Sequence, residues 1–251
     1  MDEDGARMPA AANRSAAPLT GQLRATHAVK PRLAASMILL DMSGAEPKVL
    51  LGRRNKALAF LPNKYAFPGG SLETADRLML GHSSLTNVCR KKLALRRRRG
   101  FPGPEAFALA AIREIFEETG LLLGTRAPAS SIPVSTEWQA FTDLGFAPNL
   151  AALRFIARAV TPPAFPRRFD TSFFVADLSA VTHRVEGCVS ENTELVELVW
   201  LPIEDALKLD TPRITAMILL ELKTKIPAGF AAHLPVPYFY ERNHRWIRED
   251  L

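Results

Sequence analysis

The sequence lacks most of the features that would narrow its function at once. It has two cysteines, Cys89 and Cys188, in 251 residues and no CxxC pair. That excludes a disulfide framework and points to a reducing, cytoplasmic setting. Its five histidines, His27, His82, His183, His233 and His244, share no zinc-ligand spacing. No apolar run approaches the roughly 20 residues that a membrane span needs. The opening residues form no apolar signal-peptide core, so no membrane partner and no secretion signal are expected. Internal repeats are absent as well.

What is present is a globular balance of 47% hydrophobic and 23% charged residues, with a net charge of +6. The charge is local. Between Arg77 and Gly103 lie eight Lys/Arg and no Asp or Glu, and outside that segment 24 basic residues face 26 acidic ones. One segment is basic, and the rest of the chain is not. Residues 1–29 are rich in Ala, Ser, Arg, Pro and Gly without periodicity and read as a disordered leader. From there the pattern sharpens into strands at Leu33 to Met42 and Lys48 to Arg54, then a Pro68-Gly69-Gly70 turn. A helix opens at Pro104 and stops at Gly120, a residue suited to a left-handed cap. Further strands are expected at Leu153 to Val160, Phe169 to Leu178 and Leu195 to Leu201. A last helix follows Thr211-Pro212 and runs to about Lys223. Strands and helices intermix, which predicts one α/β domain over residues 30–251.

The helix from Pro104 ends in an unfavourable way. Glu114, Glu117 and Glu118 stand at i, i+3 and i+4, so three carboxylates share one face. Each like-charge pair costs about 0.2–0.5 kcal/mol, and the last helical turn is where the dipole favours cations instead. A solvated acidic face is the plain alternative. A bound hard cation would remove the conflict, because Mg²⁺ takes carboxylate oxygens and shares its site with phosphates.

The run Arg113-Glu114-Ile115-Phe116-Glu117-Glu118-Thr119-Gly120-Leu121 resembles the second half of the Nudix hydrolase signature, position for position. Gly70 to Asp76 resembles the first half, with Asp76 where the family usually has Glu. The short spacer of the usual box is replaced by residues 77–112, so the box is split by the basic insertion at 77–103. A split box of this kind, together with the segments around Arg168 to Phe174 and Leu198 to Thr215, resembles the branch that includes peroxisomal coenzyme A diphosphohydrolases and their bacterial relatives.

The resemblance implies a Nudix-type α/β/α sandwich with a mixed sheet. It implies metal-dependent hydrolysis of the pyrophosphate bond of a nucleoside diphosphate linked to another group, with coenzyme A or acyl-coenzyme A as candidate substrates. Glu114, Glu117 and Glu118 would then hold Mg²⁺ or Mn²⁺, with Arg113 in the catalytic set. Gly69 and Gly70 would let the backbone approach the substrate. Arg167, Arg168 and Asp170 either fix a phosphate or pin a strand entry, with Arg168 the candidate substrate contact and Asp170 expected to be structural. Glu194, with Glu191 close by, is the loop candidate for general base. Asp76 is expected to support, by orienting Arg113 or a metal-bound water. The Arg96 to Arg99 run reads as a solvated loop or helix face, or as a surface for nucleic acid, anionic lipid or the 3′-phosphate of coenzyme A. Because the insertion leaves the acidic loop and returns at the catalytic helix, its base is expected beside the metal site, where its cations would read a peripheral phosphate.

Two other classes compete. One is an RNA-directed, cap-removing enzyme using the basic insertion, although a single aromatic there, Phe101, is little for base stacking, so nucleic acid is not the expected partner. The other is a non-catalytic ligand-sensing module. A homodimer is consistent with the family and nothing in the chain fixes it.

Overall fold

The computed structural model describes residues 29–127 and 135–251. The expected leader lies outside the described residues except for Val29, and so does His27. Among the described residues nine strands form the main sheet. Its order is β11 (Leu195–Pro202), β2 (Lys48–Arg54), β1 (Arg32–Asp41), β9 (Phe169–Asp177), β8 (Arg154–Val160), β12 (Pro237–Arg242) and β13 (Arg245–Asp250). The pairs β1–β9 and β8–β12 are parallel and the other pairs along this path are antiparallel, so the sheet is mixed. The short strands β3 (Tyr65–Ala66) and β4 (Gly69–Ser71) pair with β2 and β1 respectively. Two small separate sheets are formed by β5 (Leu121–Leu122) with β10 (His183–Arg184) and by β6 (Gly124–Arg126) with β7 (Phe146–Pro148).

Alternation along each strand sorts the core into two layers. Ala35, Met37 and Leu39 of β1, Leu50 of β2 and Phe174 of β9 join the layer under α3 (Pro104–Thr119). Ile38 and Leu40, Val49 and Leu51, and Phe173 and Val175 join the opposite layer, under α5 (Ile203–Ala206) and α6 (Arg213–Lys225). This is an α/β/α sandwich. Strand β1 stops at Asp41, one residue short of the expected end, because the Asp41 carboxylate accepts from the Ser43 N–H and hydroxyl and turns the chain.

The basic insertion is partly core. It carries α1 (Ala75–Leu78) at its start and α2 (Asn87–Ala94) in its middle. Met79, Leu85, Cys89 and Leu93 are buried in the α3 layer, whereas Leu78, Leu80, Val88 and Leu95 are exposed. Several elements escaped the sequence pattern, two of them sizeable. One is α4 (Thr136–Thr142), which buries Trp138 and Phe141; the other is the β12–β13 hairpin, turning on Asn243 and His244, both at positive φ.

Candidate active site

Helix α3 ends at Gly120, whose φ of 75° and N–H bond to the Phe116 carbonyl form the left-handed cap. That fixes the last turn, and with it Glu114, Glu117 and Glu118, against the Gly69-Gly70 stretch. Close approach explains both glycines. A Cβ on Gly70 would stand 2.5 Å from the Glu114 carboxylate, and one on Gly69 would stand 2.5 Å from the Ala35 carbonyl oxygen. The Gly69 N–H donates to Glu118 Oε2 at 3.0 Å.

Burial makes these carboxylates unusual acids. It pushes Glu118 well above the ordinary glutamate range, with Glu114 and Glu194 adding repulsion. It lifts Glu114 to about 7, although Arg113 pulls the other way. Glu117 is raised too, again mainly by burial. The three groups would prefer to lose charge, or to gain a cation.

Arg113 organises the cluster from behind. Its five N–H groups find five acceptors: Glu114 and Glu117 through Nη1, Asp76 through Nε and Nη2, and the Ser71 carbonyl through Nη2, all at 2.9–3.0 Å. Burial alone would lower its pKa, but the Asp76 bonds and the surrounding carboxylates raise it. Asp76 has no exposed surface. Besides the guanidinium, Asp76 accepts from the Trp138 indole N–H at 3.1 Å and the Glu73 N–H at 2.8 Å. Trp138 therefore belongs to the site's support. No sequence spacing links it to Asp76, so only the fold reveals it.

Of the three helix carboxylates Glu114 lines a cleft of about 390 Å³, whose wall also carries Gly69 and Gly70. Its floor is one face of the sheet: Arg32, Ala34 and Ser36 of β1 beside Phe169, Thr171 and Phe173 of β9. An apolar branch of about 200 Å³, lined by Phe60, Phe165, Phe169, Ile214 and Trp246, continues from it.

No family model matches the chain. The acyl-coenzyme A diphosphatase NUDT19 of Gallus gallus is 27% identical over 64% of this chain and 55% of its own length. The Xenopus laevis protein of the same name is 28% identical, over 64% and 54%. The chain thus spans about half the length of the curated relatives it matches. The crystal structure of a Nudix hydrolase from Alicyclobacillus acidocaldarius is 28% identical, covers 82% of this chain and 96% of its own, and superposes with a TM-score of 0.60. The chain is a Nudix protein. It is related to the coenzyme A diphosphatases within that superfamily.

In this Nudix chain the two halves of the split box meet through the bidentate Asp76–Arg113 pair. The other sequence candidates scatter. Glu194 reaches the cleft but is half exposed and ion-paired with Arg54 at 2.9 Å. Glu191 stays exposed, with its carbonyl accepting from Asn55. Arg168 does not line the cleft: it donates to the carbonyls of Thr161 and Val29, at 3.0 and 2.7 Å, and so ties the strand entry. Its neighbour Arg167 lines the cleft instead, with Arg32 and Arg54, neither of which the sequence pattern singled out. Asp170 is structural, bound at 2.6–2.7 Å by the buried Arg158.

The expectation that Arg96 to Arg99 sit beside the metal carboxylates is corrected. The insertion returns at the start of α3, and Glu114 lies ten residues further on, about 15 Å at the helical rise. Arg97 donates to the Ser172 hydroxyl, and Ser172 points away from the face that carries Thr171 and Phe173. Its guanidinium also stacks 3.7 Å over Phe107, and burial lowers its pKa to about 10. Arg96 is ion-paired with Glu249.

Proposed function

We propose that the chain is a divalent-metal-dependent hydrolase of nucleoside-diphosphate-linked substrates, with coenzyme A or acyl-coenzyme A the favoured class. One observation carries the reading: half-buried Glu114 and buried Glu118, both raised acids, packed on Gly70 and Gly69 at the wall of an arginine-lined cleft. Among the described residues no three His, Cys, Asp or Glu side chains form a ready-made metal cage. Mg²⁺ does not need such a cage, because it keeps several waters and binds through one or two carboxylates plus substrate phosphates. The all-oxygen donor set fits Mg²⁺ or Mn²⁺.

Glu114, Glu117 and Glu118 would hold the metal, which when bound neutralises the diphosphate and acidifies a coordinated water. Arg113 keeps Glu114 and Glu117 in register through its Nη1 bonds. Gly69 and Gly70 keep the floor open for a phosphate to lie close to the backbone. Glu194 is the candidate to take a proton from the attacking water, once it leaves Arg54 to a substrate phosphate. The apolar branch supports a substrate with an apolar arm, consistent with the names of the curated relatives. Within the arginine run Arg96 is taken up by Glu249 and Arg97 by Ser172 and Phe107, which does not favour an RNA-tracking role.

The test is turnover of coenzyme A, acyl-coenzyme A, ADP-ribose, NADH, dinucleoside polyphosphates and capped RNA with Mg²⁺ or Mn²⁺, with products resolved by chromatography. Preferred cleavage of coenzyme A species supports the reading. Metal-independent turnover, or capped RNA as the best substrate, overturns it.

A further inference from the structure

We propose that Arg32 and Arg167 form a second anion subsite in the cleft, taking a phosphomonoester carried by the same molecule as the scissile diphosphate. The inference rests on the diphosphate reading and deepens it. It comes from asking which cleft arginines are already occupied. Arg54 is paired with Glu194 and donates to the Phe60 carbonyl. Arg168 holds two backbone carbonyls, and Arg213 lies over the Trp246 ring. Arg32 and Arg167 differ: both are exposed, both line the cleft, and among the described residues neither side chain makes a hydrogen bond or an ion pair.

Their positions converge. Arg32 pairs with Phe169 in the parallel β1–β9 register, and Arg167 precedes Phe169 by two residues, so both stand where the two strands begin. The offset from the carboxylates is fixed by the strand. Ala35 pairs with Gly70, against which Glu114 rests, and Arg32 lies three residues back, about 10 Å at the strand rise. An anion held by these arginines is thus separate from one held at Gly69 and Gly70. Glu73 lines the same cleft but forms no ion pair with Arg32, so contact does not quench the charge.

The ligand chemistry follows from the donors. Two guanidinium forks offer parallel N–H pairs that match phosphate oxygens, and a monoester brings nearly two negative charges near neutral pH. A nucleotide with one phosphate on its 3′ hydroxyl and a diphosphate on its 5′ hydroxyl carries that pair of anions.

Adenosine 3′,5′-bisphosphate and adenosine 5′-monophosphate isolate the subsite, since they differ only in the 3′-phosphate. Calorimetric titration into the full chain should show the bisphosphate binding about tenfold tighter or more, with the gap narrowing as salt rises. The R32Q/R167Q double variant should bind both nucleotides alike, and R98Q, at an exposed arginine that does not line the cleft, should keep the wild-type gap. Thermal melting checks that each variant folds, and R32K tests whether the fork or only the charge is needed. Equal affinities in the wild type, or an undiminished gap in the double variant, overturn the proposal. Turnover of diphosphates separates the two failures. If the wild type hydrolyses them without reading the 3′-phosphate, only the subsite falls; if it hydrolyses none, the reading of the cleft falls with it.

Discussion

Replacing Asp76 by Asn is the most informative single change the structure suggests. Four donors converge on the Asp76 carboxylate: Arg113 Nε and Trp138 Nε1 on Oδ1, and Arg113 Nη2 and the Glu73 N–H on Oδ2. Asn keeps the shape but offers one acceptor oxygen. Whichever way the amide turns, its NH₂ faces two of those donors. The pair is fully buried, and Arg113 keeps its charge when its partner is neutralised. Breaking such a pair from one side costs about 3–5 kcal/mol. For a chain of this size that corresponds to a melting shift of roughly 6–20 °C. Trp138→Phe removes a single donor and leaves the ion pair intact, so its loss should be about 1.5–3 kcal/mol, that of one hydrogen bond to a charged group.

The assay is calorimetric or spectroscopic melting of wild type, Asp76→Asn and Trp138→Phe without metal, with diphosphate turnover measured below the lowest melting point. Asp76→Asn should lose kcat as well, because Arg113 then holds Glu114 and Glu117 less firmly. A melting shift under about 3 °C for Asp76→Asn would refute the idea that this pair closes the split box.

Other consequences follow from the same cluster. Glu118→Gln keeps an acceptor for the Gly69 N–H and removes a buried charge, so the metal-free protein should melt higher while turnover falls at least about a hundredfold; near-normal turnover would remove Glu118 from the metal set. Glu114 is a stronger base folded than unfolded, with its pKa raised from 4.5 to about 7, so its ionisation opposes folding. Metal-free stability should therefore decline between those two pH values, by up to about 3 kcal/mol from this group, and Mg²⁺ should raise the melting point more at pH 8 than at pH 5. A metal-free melting point that climbs through that window would sink the argument. Deleting residues 77–103 should unfold the protein, since it strips Met79, Leu85, Cys89 and Leu93 from the core at roughly 1.5–3 kcal/mol each; a well-folded deletion variant seen by melting would show the insertion to be dispensable.

The elements that sequence located well are those whose pattern is set locally. Pro104 and Gly120 bound α3 through backbone rules that act within one turn, and the helix runs between them as expected. The β1–β2 hairpin was legible as two apolar runs about the Ser43 to Pro47 turn, whereas the division of their side chains between two layers appears only in the fold. The site's support was less legible because it depends on contacts distant in sequence. Trp138 meets Asp76 across 62 positions with no intervening pattern. The β12–β13 hairpin was legible in principle from its turn, because a two-residue Asn243-His244 loop at positive φ is a hairpin turn. Arg96 to Arg99 misled for a different reason. A charge run invites an electrostatic reading, yet sequence does not say which face of the sheet it occupies. Ser172 settles that, by alternation with Thr171 and Phe173.

The insertion's chemistry also explains why a split box can persist. Lengthening a loop costs only about 0.6 kcal/mol per doubling, so a spacer of residues 77–112 adds little entropy cost to closing the ring between Asp76 and Arg113. Even so, a long connection lets the two half-motifs drift unless something rigid joins their ends. Here the joint is made at the last residue before the spacer and the first after it. Asp76 and Arg113 bind in two-point register inside the core, where neither can exchange its partner for water. A shorter acid than the usual glutamate suits that geometry, because Asp76 sits on α1, directly against α3, and needs less reach. The spacer then contributes apolar side chains to the α3 layer, so what began as an interruption of the signature adds to the packing that holds the catalytic helix in place.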